Sequence, residues 1–259
     1  MSARLRLAVF KLASCDGCQL QLLNLEEELL ALAERVEIAH FLEATSRILP
    51  GPYDVALVEG SVSTPHDAER IRQIRADAKT LVTIGACATA GGVQALRNWA
   101  DSAEWQRRVY PEPGWLAMLP TSTPVADHVA VDYEIHGCPI DRGQLLRVLL
   151  GALRGATPDL PGHSVCIECK RRGAVCVVVA RGVPCMGPVT RTGCGALCPA
   201  HGRDCYACFG PMEQPNAPAL ARRFAELGED ARSVQRRFRG ITGWRDAFRA
   251  VSERAPEEP

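Results

Sequence analysis

The sequence predicts an α/β fold: a flavodoxin-like parallel-sheet domain over residues 1–158, then a loop-rich, cysteine-dense domain over residues 159–259 that ends in helices. Three observations lead there. Short apolar runs alternate with helical periodicity through the first part of the chain. The pattern changes near Leu160, where Cys, Gly and Pro crowd together. A charged stretch of helical character closes the chain.

Apolar runs at Leu5–Leu12, Val36–Leu42, Val55–Val62, Leu81–Ala86 and Val129–Ile135 read as strands, with helical stretches between the first four. Leu22, Leu25, Leu29 and Leu32 share one helical face, and Glu26, Glu27, Glu28 and Glu34 lie largely off it. Ala68–Ala78 reads as a second, more polar helix, and Leu145–Leu153 as a third after the last strand. Beyond Leu160, CIECKRRGAVC and GVPCMGPVTRTGCGALCPAHGRDCYACFGP offer too little apolar surface for a core of their own. The expectation is loop, held by something bound. Ala217–Val251 turns helical again and carries Arg222, Arg223, Arg236, Arg237 and Arg239, a basic run expected on a solvated or partner-facing surface.

Thirty basic residues balance thirty acidic ones, so the basic excess usual in nucleic-acid binders is missing. No segment reaches the roughly twenty apolar residues of a membrane helix; Leu145–Leu153 is interrupted by Arg147. The N-terminal MSARLRLAVFKLASC has a short apolar part broken by Lys11 and no twin arginine, so the expected location is cytoplasmic. There, twelve cysteines point to metal or redox chemistry; disulfides would need export, for which there is no signal.

Cys15 and Cys18 follow the first predicted strand, Cys87 the fourth and Cys138 the fifth. Parallel strands end at one edge of their sheet, so these four can meet there, with Glu59 of VEGS nearby. Four thiolates suit a [4Fe–4S] cluster. Gly17, Gly85 and Gly137 allow close backbone approach, and a helix beginning near Cys18 would turn its positive end to an anionic centre. Zinc is the alternative, but its structural sites use local cysteine pairs rather than one pair and two distant singletons. Cys87 and Cys138 as ordinary core cysteines would fit poorly with their glycine-flanked positions.

In the order SCDGCQLQLL, VEGSVST, IGACATAGGVQ, HGCPI, VCIECK, CMGPVTRTGCGALCP and CYACFGP, the chain resembles the small subunits of [NiFe] hydrogenases, especially the cytoplasmic sulfhydrogenase delta-subunit or NAD(P)-linked type. The resemblance implies that Cys15, Cys18, Cys87 and Cys138 hold a proximal [4Fe–4S] cluster. It implies a distal set of Cys166, Cys169, Cys176 and Cys185, with Cys166 where periplasmic relatives use histidine and His163 as its rival. It implies a medial set of Cys194, Cys198, Cys205 and Cys208. There Cys198 adds a fourth thiolate where many periplasmic relatives have three and a [3Fe–4S] cluster, and exchange of ligands between these two sets stays open. Glu59 corresponds to a family glutamate near the subunit interface, or simply caps locally.

The implied role is electron relay through three [4Fe–4S] clusters. The electrons would pass between the nickel–iron site of a separate large subunit and an NAD(P)-reducing partner built of FAD-binding diaphorase-type and iron–sulfur subunits. No G-x-G-x-x-G nucleotide loop occurs in this chain, which fits that division of labour. The alternatives are the same relay in a heterodisulfide- or deazaflavin-linked hydrogenase and, from a different class, a zinc-binding interaction module.

Overall fold

The computed structural model describes residues 4–254. The outermost residues of both predicted domains, including the first three of the N-terminal stretch, lie outside the described residues. The chain divides between Leu160 and Pro161 into two compact units.

The first unit runs β1 (Leu5–Lys11), α1 (Gly17–Leu23), α2 (Glu27–Ala33), β2 (Val36–Phe41), β3 (Tyr53–Glu59), α3 (Pro65–Asp77), β4 (Ala78–Ile84), α4 (Gly85–Ala90), α5 (Ser102–Val109), β5 (Tyr133–Ile135) and α6 (Arg142–Arg154). All strand pairings are parallel, in the order β2-β1-β3-β4-β5. This is the flavodoxin-like order, with its switch point between β1 and β3. Strand residues alternate between faces. Leu7, Val9, Leu57 and Ile84 pack on one side with Leu22 of α1 and Leu145 and Leu149 of α6. Ala8, Phe10, Ala56 and Val58 pack on the other with Ile71 and Ile74 of α3. Both faces are therefore covered, and the strands read as nearly continuous apolar runs.

Helix starts follow local chemistry. Thr64 and Asp67 form a capping box ahead of α3, and the Asp141 carboxylate accepts from Gln144 N–H (2.9 Å) to begin α6. Three expectations change in detail. The leucine-rich helix is broken between α1 and α2 at Asn24–Glu26, where Glu26 has φ 48°. Between β2 and β3 there is no helix; Pro50, Gly51 and Pro52 oppose one. The last strand keeps only Tyr133–Ile135.

The second unit contains α7 (Val165–Arg171), α8 (Val177–Arg181), α9 (Leu197–Ala200), α10 (Ala217–Glu226), α11 (Ala231–Phe238) and α12 (Asp246–Ser252). The predicted closing helix is thus three helices. The cysteine-rich stretch shares a core with these closing helices. Phe224, Phe238 and Phe248 of the last three helices are fully buried against Val165, Val177 and Val189. The aromatics come from outside the stretch, so its own composition did not reveal them. Among the described residues no helix is long and apolar enough to cross a membrane.

Candidate metal centre

The parallel sheet brings its strand ends to one edge. Lys11 ends β1, and Cys15 and Cys18 follow it; Ile84 ends β4, and Cys87 lies on α4; Ile135 ends β5, and Cys138 follows. Ala86 N–H donates to the Gly137 carbonyl (2.7 Å), tying the last two of these loops together. Cys18 is buried, Cys87 and Cys138 are half-buried, and Cys15 is exposed.

These thiols lie within electrostatic reach of one another. Burial pushes Cys18 well above the ordinary thiol range, with the Glu59 carboxylate and the thiols of Cys87 and Cys138 adding to it. Cys87 is pushed up to about 11 by burial and then by Cys138 and Cys15. Cys138 is raised by burial, Cys15 and Glu59. Cys18, Cys87 and Cys138 thus resist ionising together; a bound cation would hold them as thiolates, and loading then releases protons. Backbone N–H groups already point at sulfur: Ile140 toward Cys18 and Val93 toward Cys87. Such donors stabilise sulfur charge around a bound metal group.

Two glycines keep the space open. Gly85 has φ +86°, and a Cβ there would overlap Cys18 Sγ; Gly92 has φ +63°, and its Cβ would fall 2.5 Å from Cys87 Sγ. Gly92 was missed in the sequence, although the AGG that follows Cys87 was the available signal. Glu59 is 2% exposed and accepts from Cys18 N–H (3.0 Å) and Gln19 Nε2 (2.8 Å). It therefore takes one N–H at the start of α1, that of Cys18, expected from the sequence to turn toward an anionic centre.

The second unit gathers its eight cysteines less evenly. Cys166 and Cys169 sit on α7, Cys176 precedes α8, and Cys185 lies beyond it. Burial raises Cys166, with Cys185 and Cys176 contributing. Cys169 rises to about 11 through burial, Cys166, Cys185, Cys176 and Cys194. These thiols therefore share one neighbourhood, which Cys194 also touches. Cys205 is raised by burial, with contributions from Cys185 and Cys208, and its N–H donates to Cys185 Sγ (3.2 Å). Cys194 receives the N–H groups of Leu197 and Ala196, and Cys198 lies near Arg203. His163 turns Nδ1 to the Ser164 carbonyl (3.2 Å).

Sequence reasoning also overlooked Glu168. Its Oε1 accepts from Gly193 N–H (3.1 Å) and its Oε2 from Ala196 N–H (3.0 Å), so a carboxylate on the helix of Cys166 and Cys169 clamps the loop of Cys194. The signal was its isolation as the lone acid between Val165 and Arg203. Glu168→Ala removes both bonds from a part-buried site and is expected to destabilise the second unit by about 2–4 kcal/mol. Glu168→Gln, which keeps one acceptor, should lose about half of that; chemical denaturation with exchange mass spectrometry on the Gly193–Ala196 loop checks both.

Among the described residues no group of three or more His, Cys, Asp or Glu side chains is drawn together tightly enough to hold a metal ion.

The family described as "NADH ubiquinone oxidoreductase, 20 Kd subunit" matches residues 15–152, more than half of the chain. Sulfhydrogenase 2 subunit delta of Pyrococcus furiosus is 40% identical, covering 93% of this chain and all of its own length. A subunit of the F420-non-reducing hydrogenase vhu of Methanococcus voltae is 30% identical over 90% of this chain and 92% of its own. A chain of the crystal structure of an NAD+-reducing [NiFe]-hydrogenase in the H2-reduced state superposes with a TM-score of 0.57 at 31% identity, covering 61% of this chain and 96% of that one. A parallel sheet that collects four cysteines at its carboxyl edge, and these matches across it, place the chain in the 20 kDa-subunit family as a small subunit of the [NiFe] hydrogenases.

Proposed function

We propose that this chain is the electron-transfer small subunit of a soluble, cytoplasmic [NiFe] hydrogenase. In this role it relays electrons between the nickel–iron site of a large subunit and an NAD(P)-reducing flavin and iron–sulfur partner through three [4Fe–4S] clusters. The observation that carries the proposal is the meeting of Cys15, Cys18, Cys87 and Cys138 at the sheet edge, in a cradle kept open by Gly85 and Gly92. In that role these four residues hold the proximal cluster. Cys166, Cys169, Cys176 and Cys185 hold the distal one, and Cys194, Cys198, Cys205 and Cys208 the medial one. A cluster supplies a one-electron carrier whose potential depends on burial and on hydrogen bonds to sulfur. This chain contributes both, through the buried Cys18, Cys185 and Cys205 and through the N–H groups of Ile140, Val93 and Ala207.

A second reading is the same relay in a heterodisulfide- or deazaflavin-linked hydrogenase; coverage sets only the NAD+-reducing chain apart, since the Pyrococcus furiosus sulfhydrogenase subunit matches 93% of this chain and the Methanococcus voltae relative 90%. The NAD+-reducing relative is spanned by 61% of this chain, about the share of the first unit, which ends at residue 160. The Methanococcus voltae relative matches 90% and so extends into the second.

Anaerobic purification from the native host tests the proposal. The expected result is a brown protein bleached by dithionite, with about twelve irons per chain rather than two or three zincs. A large subunit should co-purify, and the remaining subunits decide between the two acceptors. Colourless protein loaded with zinc would overturn it.

A further inference from the structure

The face made by the turn from α7 into α8, with α9 beside it, carries charge that the fold leaves uncompensated. Between Val165 and Arg203 there are six Lys and Arg residues and a single acid, in a chain of zero net charge. That acid, Glu168, is occupied by the N–H groups of Gly193 and Ala196. Lys170, Arg171, Arg172 and Arg181 are all exposed. Arg172 and Arg181 rest on the carbonyls of Gly195 and Gly202, and among the described residues none of the four meets a carboxylate. Elsewhere in the same unit Arg223, Arg237 and Arg249 each pair with Asp or Glu.

Apolar surface sits amid these cations. Val179 is 86% exposed and Val175 73%, among the most exposed large apolar side chains described, and Leu197 of α9 is exposed too. A groove of about 480 Å³ opens beside Val175, walled also by Arg172, Arg181 and Pro199. Exposed Cys176 stands between the two valines. Apolar side chains left in water within a one-signed rim mark a protein contact whose partner brings the opposite charge.

We propose that this face docks the acidic surface of a redox protein that exchanges electrons with the cysteine set containing Cys176, a proposal that rests on the relay function above. The cations steer and orient the partner, and the valines supply the dry centre of the contact.

The test measures binding of a purified acidic ferredoxin to the iron-replete protein by calorimetry, at low and high salt. Lys170→Glu with Arg171→Glu reverses two exposed charges that form no ion pair among the described residues, and iron content confirms that the variant stays loaded. Binding is expected to weaken about tenfold or more and to lose its salt dependence. Val179→Ser should weaken binding while leaving the salt dependence in place. Arg222→Glu with Arg223→Glu, an equal charge change at exposed positions on α10, should leave binding unaltered. Wild-type protein that binds ferredoxin no better than the double variant overturns the proposal, as does binding to phosphatidylserine vesicles with ferredoxin ignored. Iron content and bleaching by dithionite, read on the same wild-type samples, report separately on the relay.

Discussion

Cys87→Ser is expected to abolish hydrogen-dependent reduction of every acceptor, natural or dye, and to remove about four of about twelve irons. The whole effect follows from position. Cys87 lies on α4 directly after β4, at the carboxyl edge where loops from β1 and β5 also arrive. Its thiol interacts with those of Cys138 and Cys15, so nothing else at that edge can replace it without moving a strand end. Serine is nearly isosteric but a poor ligand for iron, and the sheet that places it has its own core. Fold should therefore survive while the centre is lost. In a serial relay the first carrier gates all the others. Cys166→Ser, in the second unit, should instead spare the proximal spectroscopic signal and slow only the natural acceptor. Iron analysis, EPR and turnover with two acceptors separate the cases. A Cys87→Ser protein with full iron and full turnover would show that the ligand map is wrong.

The sheet was legible because its strands are buried on both faces and so appear as nearly continuous apolar runs, as in LRLAVFK and YDVALVE. The meeting of Cys15, Cys18, Cys87 and Cys138 at one edge was legible for a related reason. Parallel connectivity fixes which end of each strand a following residue occupies, however distant it is in sequence. What escaped notice depends on conformation or on tertiary contact. The break at Asn24–Glu26 lies inside a good helical pattern, and a residue with positive φ such as Glu26 gives no compositional warning. Gly92 matters only because the turn after α4 folds back onto Cys87. Glu168 reads as one more polar helix residue until the Gly193–Ala196 loop is seen to lie against it. In the second unit the partition of eight cysteines follows no strand order, and Cys169, which interacts with Cys194 as well as with Cys166, Cys176 and Cys185, shows why spacing alone leaves it open.

Phe238→Ala tests whether the second unit depends on its own core or on what its cysteines bind. Phe238 is fully buried, with ring centroids 6.2 Å from Phe224 and 5.7 Å from Phe248, so one ring joins α10, α11 and α12. Truncating a buried phenylalanine costs about 3–5 kcal/mol. In a unit of this size that is much of a typical domain's stability, and the melting temperature should fall by at least about 12 °C. The three helices pack on the segments that carry the cysteines, with Cys185 and Cys205 in the same buried cluster as the rings. Loosening them should therefore open the metal-binding loops. Iron from the second unit is expected to become accessible to a chelator, while iron held at the sheet edge stays protected. Hydrogen exchange should rise across α10 to α12 and the cysteine loops, and not in β1, β3 or β4. If exchange and iron release stay at wild-type levels, bound clusters rather than aromatic packing hold the second unit together. The core seen there would then be a consequence of its metal chemistry.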